Sequence, residues 1–424
     1  MTGRRRPSSP RPFKAAVLAT ATTAVGAALL SLCGAIPGIP DRSKAPVTVM
    51  TWAPEGTGAT NMPGMPAMAK AYARWVNEQG GLNGHELKVL TCNDHNNTVG
   101  AGRCARRALS RDVVAVVGSY SQYGHSYMPQ LEAEGIPYIG GYGVTDEEFT
   151  SPLSYPVNGG QASLLAGNGR QLARSCTEVS LVRPDTIAGD QMPSFLNSGL
   201  AQGRRGTADD IRAPEDATDY SRQARRAMGG ADSCVTAALG DRTDTFFDSF
   251  RRLQPDGLRV RLASVLGSVQ QSLVTRTGSK LDGASVTGWY PVASDRRWDP
   301  MRRVIRDHAF GDNRIDAADP GVQTTWIAYT VLREAVKSLG DDGEVTAHSV
   351  RRALDGPLGD GGVDTGGLTP ELSWRYEDML AVKGFPRITN AMVTYQRVRD
   401  GRLVAERDGF VDVSGTLEHR REEG

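Results

Sequence analysis

The residues in this 424-residue chain that could do chemistry sit mainly in short loops that follow apolar runs. After Val113–Val117 comes Gly118-Ser119-Tyr120-Ser121-Gln122-Tyr123-Gly124, a loop of hydroxyls and an amide. Such groups can hold a ligand oxygen, and Ser119 and Ser121 can equally cap the helix that follows. Tyr142 and Thr145 stand in the next such loop, where Thr145 could contact a ligand or cap a helix beginning at Asp146-Glu147-Glu148. Two later loops carry Asp185-Thr186-Ile187-Ala188-Gly189 and Asp241-Arg242-Thr243. Arg242 would suit an anion if it faced a cleft, and would otherwise be a solvated residue at a helix end. Trp52 follows an apolar run and could line a cleft or simply pack, while Trp289 ends a strand-like run at a crossover and could belong to a hinge or to the cleft floor. These groups recognise ligands without breaking bonds. No enzyme signature accompanies them: Gly118 and Gly124 are spaced wrongly around Ser121 for a nucleophile elbow, and the six histidines form no i, i+4 metal pair. Gly80, Gly81 and Gly84 follow a helix rather than a strand, so they are not a dinucleotide fingerprint. No catalytic residue, cofactor or metal site is therefore expected.

The cysteines suggest a compartment. Beyond Cys33 there are four: Cys92, Cys104, Cys176 and Cys234, an even number that favours disulfides in an exported chain. Three connectivities are open, and the reading chosen is Cys92 with Cys104 and Cys176 with Cys234; free buried thiols are the alternative. Residues 1–44 read as a targeting segment, because Arg4, Arg5, Arg6, Arg11 and Lys14 precede an uncharged stretch from Ala15 to Pro40. Leu30-Ser31-Leu32-Cys33-Gly34 resembles a bacterial lipoprotein signal with Cys33 as the lipidated residue, although Leu32 stands where Gly, Ala or Ser is usual. An uncleaved membrane anchor and ordinary secretion are the other readings.

The elements that must position these loops follow a strand–helix rhythm. Val47–Met50 is a short apolar run, Ala67–Gln79 places Met68, Tyr72 and Val76 on one helical face, and Val113–Val117 reads as a buried strand. Strand 136–139 follows a helix over 124–134. After the interruption at Pro156–Gly160 the rhythm restarts with helices over 162–174, 190–201, 218–228 and 243–253, and strands over 178–182, 234–238, 258–263 and 284–289. Helices over 303–310 and 325–339, then a hairpin turning at Asp400-Gly401, complete the chain. Alternation at this interval means βαβ units and parallel sheets in two similar halves. Basic and acidic residues nearly cancel (49 against 48), so no field draws the chain to nucleic acid. A 39% hydrophobic and 23% charged composition excludes both a multi-span membrane protein and a disordered one.

The ordered series of segments resembles the branched-chain amino acid receptors, type I periplasmic-binding-protein-like components of ABC importers. The likeness is carried by Trp75-Val76-Asn77-Glu78-Gln79-Gly80-Gly81-Leu82-Asn83-Gly84 and by Leu87-Lys88-Val89-Leu90 followed by Asp94. It continues in Val113–Gly118, in Glu134-Gly135-Ile136-Pro137-Tyr138-Ile139, and in Trp326-Ile327-Ala328-Tyr329 with Val331, Glu334 and Ala335. It spans about 46 to 406. The resemblance implies two Rossmann-like lobes joined by a multi-strand hinge, with the ligand cleft between them. It implies lobe 1 over 45–158 and 291–356, lobe 2 over 159–290, and a last stretch, 357–424, holding a hinge crossover, a lobe 2 hairpin and the tail. Ser119, Tyr120, Ser121, Gln122, Tyr142 and Thr145 would line the cleft from one lobe, and Asp185, Ile187, Arg242 and Trp289 from the other, with Trp52 at its edge. Departures matter too: the family's adjacent serines are here Ser121 and Gln122, its cleft tyrosines are missing at Ala188 and Arg242, and no carboxylate lies within Ser264–Ser268. An unpaired ammonium group is costly to bury, so a standard amino acid is not the expected ligand. The expected role is capture of a small polar solute for a membrane ABC permease, on the outer face of a membrane to which an N-terminal lipid or anchor tethers the chain. The alternative is sensing, in which the same clamp signals to a membrane partner without transport.

Overall fold

The computed structural model describes residues 44–230, 232–255, 260–358 and 361–419. Cys33 and the targeting segment lie outside them. Strand β1 (Lys44–Trp52) centres a parallel sheet in which β2 (His85–Cys92) flanks one side. On the other side follow β3 (Ala115–Val117), β4 (Tyr138–Ile139) and β5 (Ser154–Tyr155), giving the order β2-β1-β3-β4-β5. The inner strands are buried on both faces, which is why they read as solid apolar runs. Helix Gly64–Glu78 buries Met68, Tyr72 and Val76 at i, i+4 spacing, and the Gly81 N–H closes its end on the Val76 carbonyl at 2.9 Å.

The second sheet holds β6 (Glu178–Pro184), β7 (Asp209–Ala213), β8 (Ser233–Ala237), β9 (Arg261–Val265) and β10 (Ser285–Gly288), all parallel. Antiparallel β11 (Met392–Arg399) and β12 (Arg402–Ala405) complete the order β12-β11-β10-β9-β8-β6-β7, and β13 (Val411–Asp412) pairs with β11. The hairpin turns where expected, with Asp400 and Gly401 both at positive φ. Between β10 and β11 the chain returns to the first sheet, where helices Asp299–His308 and Pro320–Ser338 pack against helix Gly64–Glu78. The polypeptide thus passes between the sheets three times, and the described residues form one compact unit.

Both disulfides form as read from the sequence: Cys92 with Cys104 (Cα–Cα 5.7 Å) and Cys176 with Cys234 (5.8 Å). Among the elements that were not anticipated, four show why. Helix Thr98–Leu109 buries only small side chains such as Ala101, Cys104, Ala105 and Ala108, so it lacks a large-residue stripe. Helices Gln271–Thr277 and Ala347–Asp355 are short, each with just two buried apolar anchors. Strand β7 is a sheet edge that opens on two aspartates, a pattern that does not look like a strand.

Candidate functional site

The carboxyl ends of β3, β4 and β6–β10 converge on one cavity, the place where open α/β sheets bind ligands. It encloses about 690 Å³ of space, its open mouth included. The first lobe contributes Thr60, Met62, Tyr120, Gln122, Tyr142 and Val144. The second contributes Gln161, Leu164, Leu165, Met192, Glu215, Leu239, Leu266, Ser268 and Trp289, among others. The walls are mostly apolar, with a few polar groups that can set orientation.

An aromatic series forms one side. Tyr120 and Tyr142 meet edge to face at 5.2 Å between ring centres, and Tyr142 meets Trp289 at 5.2 Å in the same way. The Trp289 indole is fixed by donating to the Gly160 carbonyl at 2.9 Å. The Tyr142 hydroxyl is buried with no hydrogen-bond partner among the described residues. Such a group is costly unless something in the cavity pairs with it.

Each loop is held from behind. Glu148, 1% exposed, accepts the backbone N–H groups of Gly143, Val144 and Thr145 at 2.9, 3.0 and 3.1 Å, fixing the loop that presents Tyr142. Burial pushes its carboxyl up to about 7, with those three donors opposing the shift. In the second lobe Arg183, at the end of β6, is buried and grips Asp210 of β7 through two bonds of 2.8 and 2.9 Å, and Asp190 at 3.0 Å. At the crossovers Asn158 donates to the Tyr290 hydroxyl at 3.0 Å, which meets Thr324 Oγ1 at 3.0 Å, while Thr394 donates to the Tyr290 carbonyl at 2.8 Å. Four separate segments are joined there.

The lobes touch across the mouth. Arg242 donates to the Gly58 carbonyl at 2.7 Å, Asn61 N–H donates to Asp241 at 3.2 Å, and Gln191 donates to Asp146 at 2.5 Å. Two close approaches require glycine: a Cβ on Gly240 (φ +54°) would lie 2.5 Å from Thr60 Oγ1, and one on Gly267 (φ +93°) 2.3 Å from the Tyr142 hydroxyl.

Of the residues singled out from sequence, Tyr120, Gln122, Tyr142 and Trp289 line the cavity. The others are placed elsewhere. Trp52 is fully buried against Tyr127 and Tyr138 on the far side of the first sheet, since the end of β1 points it into that core. Ser119 Oγ accepts the Trp52 N–H at 3.1 Å. Ser121 Oγ accepts the Tyr123 N–H at 3.3 Å, so both serines serve the loop itself. Thr145 donates to Glu148 at 3.4 Å. Asp185 pairs with Arg212 at 3.3 Å on the exposed edge, and Ile187 is 86% exposed beside it. Arg242 is a rim residue whose guanidinium is engaged by Gly58, not a cavity cation.

The stretch Ser264–Ser268 indeed carries no carboxylate, but Glu215, which the sequence reading missed, lines the cavity from the loop after β7. Burial raises its carboxyl, and a hydrogen bond from Gln122 of the facing lobe partly offsets this. Glu215 escaped the sequence reading because β7 did; once that strand is known, the rule that ligands meet the carboxyl ends of strands points to it. Thr60, Met62, Gln161 and the pair Leu164-Leu165 were also missed, the last three lying in a helix that looks like ordinary core. Among the described residues no group of three His, Cys, Asp or Glu is placed to hold a metal, and no helix is long and apolar enough to cross a membrane.

A family model described as periplasmic binding protein matches residues 50–371. No curated protein sequence matches the chain. Among solved structures, a branched-chain amino acid ABC transporter protein from Thermus thermophilus with bound valine aligns with a TM-score of 0.72 at 15% identity, covering 89% of this chain and 99% of that one. A solute binding protein of an ABC transporter from Rhodopseudomonas palustris BisB5, in complex with 3,4-dihydroxybenzoic acid, aligns at 0.69 and 15%, covering 87% and 97%. A substrate-binding periplasmic protein from Ralstonia solanacearum aligns at 0.68 and 17%, covering 85% and 99%. At such identities the likeness speaks for the fold.

Proposed function

The chain belongs to the periplasmic binding protein family, and on that premise we propose that it captures a small solute between two lobes and delivers it to a membrane ABC permease. The single observation that carries this reading is the cavity at the carboxyl ends of both sheets, walled by side chains from each lobe. We assign 45–158 with 291–356 to one lobe and 159–290 with the C-terminal hairpin to the other; the crossover network around Tyr290 is then the hinge. Tyr120, Gln122, Tyr142, Glu215 and Trp289 are the contacts we assign to the solute, and Arg242, Asp241 and Asp146 are latch groups that hold the lobes together over it. No bond is made or broken in this role, so the chain acts as a receptor rather than an enzyme. The family's location outside the cytoplasm agrees with the two disulfides, and tethering through Cys33 or an uncleaved anchor is part of the proposal.

The mostly apolar wall sharpens the expected solute from simply polar to one with an aliphatic or aromatic body and a polar head. The test is thermal unfolding of residues 44–424 against a panel of amino acids, amines, amides, sugars and organic acids. A true ligand at 100 times its Kd should add about 2.7 kcal/mol to stability. A Trp289→Ala variant that folds yet keeps full affinity for that ligand would remove the cleft from the account.

A further inference from the structure

We propose that the cleft selects a positively charged solute, a primary amine on an aromatic or aliphatic body with no carboxylate of its own, and that Glu215 is its counter-charge. This rests on reading the cavity as a solute site. Among the described residues that line it, Glu215 is the only charged one; no Lys, Arg or His faces the space. Arg242, a cation at the mouth, is engaged by the Gly58 carbonyl. An anion entering this cavity would lose its hydration with no fixed positive charge to replace it, whereas an amine would meet a carboxylate already partly stripped of water.

The surrounding field has the same sign. Asp241 at the rim and Asp319 at the start of helix Pro320–Ser338 both act on the Tyr142 hydroxyl, and Glu215 and Asp241 both act on Tyr120. Each of these carboxylates disfavours ionisation of the tyrosine it faces, while Arg242 and Arg276 oppose Asp241 from the rim side. The rings of Tyr120, Tyr142 and Trp289 add the attraction of an aromatic face for a cation. The Tyr142 hydroxyl, buried and unpartnered among the described residues, offers a second polar contact to the same solute.

A carboxylate on the solute finds no comparable seat. The hydroxyls that the family resemblance would give it are turned inward: Ser119 to the Trp52 N–H, Ser121 to the Tyr123 N–H, and Thr145 to Glu148. The acidic group also arrives from the edge strand β7 and not from the stretch Ser264–Ser268, so the solute's charged end lies beside Gln122 rather than under β9.

The test is calorimetric titration of the full chain with matched sets: tyramine, tyrosine and 4-hydroxyphenylacetate; phenethylamine, phenylalanine and phenylacetate; isoamylamine, leucine and isovalerate. In the best-bound set the amine should bind at least tenfold more tightly than the acid or the zwitterion. Glu215→Gln should weaken that amine at least tenfold, while Asp185→Asn, a carboxylate outside the cavity, should leave it unchanged. Circular dichroism of Glu215→Gln should match the wild type, separating lost charge from lost fold. If an acid or zwitterion binds best, or the amine's affinity survives Glu215→Gln, the charge assignment is overturned and solute capture stands. If no set binds at all, the charge assignment falls, while solute capture falls only if the wider panel of amides and sugars also leaves the unfolding temperature unchanged.

Discussion

Replacing Glu148 by Gln tests how the cavity loop is held. The carboxyl sits behind Gly143–Thr145, is 1% exposed, and is raised by burial from 4.5 to about 7. In the unfolded chain it titrates as an ordinary glutamate, so between those two values the folded state binds the extra proton. Its contribution to stability is therefore fully present below pH 4.5 and is lost as pH rises through about 7. At 1.36 kcal/mol per unit, that loss is about 3 kcal/mol. Glutamine keeps one oxygen for the Val144 and Thr145 N–H groups but turns an N–H₂ toward Gly143, a pH-independent cost of about 1–3 kcal/mol. Asp319, raised by burial to about 6, tilts both proteins alike and cancels in their difference. Urea unfolding at pH 4.5, 5.5, 6.5 and 8 should then show the wild-type advantage shrinking by about 3 kcal/mol across the series. Parallel curves for the two proteins would refute the burial argument.

Two further outcomes follow from the same geometry. Gly267→Ala puts a Cβ 2.3 Å from the Tyr142 hydroxyl at a φ of +93°, and should weaken solute binding at least tenfold in titration for about 1–2 kcal/mol of lost stability. Removing the disulfide between Cys176 and Cys234, which closes a 58-residue separation, should cost about 4 kcal/mol in urea unfolding, against about 3 kcal/mol for the 12-residue bridge between Cys92 and Cys104; equal losses would rule out the loop-entropy account.

The sheets were legible because buried parallel strands such as Val113–Val117 and Val235–Ala237 declare themselves as apolar runs. Helix Gly64–Glu78 was legible from its large residues at i, i+4, while Thr98–Leu109, packed through alanines, was not. The cavity was half legible. Loops after recognised strands gave Tyr120, Gln122, Tyr142 and Trp289, but residue type alone could not say that Ser119, Ser121 and Thr145 bond within their own loop. Trp52 shows the same limit: strand alternation assigns it a face of the sheet, and only packing shows that the face is the Tyr127–Tyr138 core. Glu215 was hidden by an edge strand whose aspartates are paired by Arg183 and Arg226 rather than by any strand-like pattern.

The central claim is that one solute is held by both lobes at once. A crystal structure of the protein with its tightest-binding solute tests this most directly. The account predicts density between Tyr120, Tyr142 and Trp289, within hydrogen-bond reach of Glu215, with Arg242 still closed on Gly58. A solute bound to one lobe only, or outside this cavity, would contradict it.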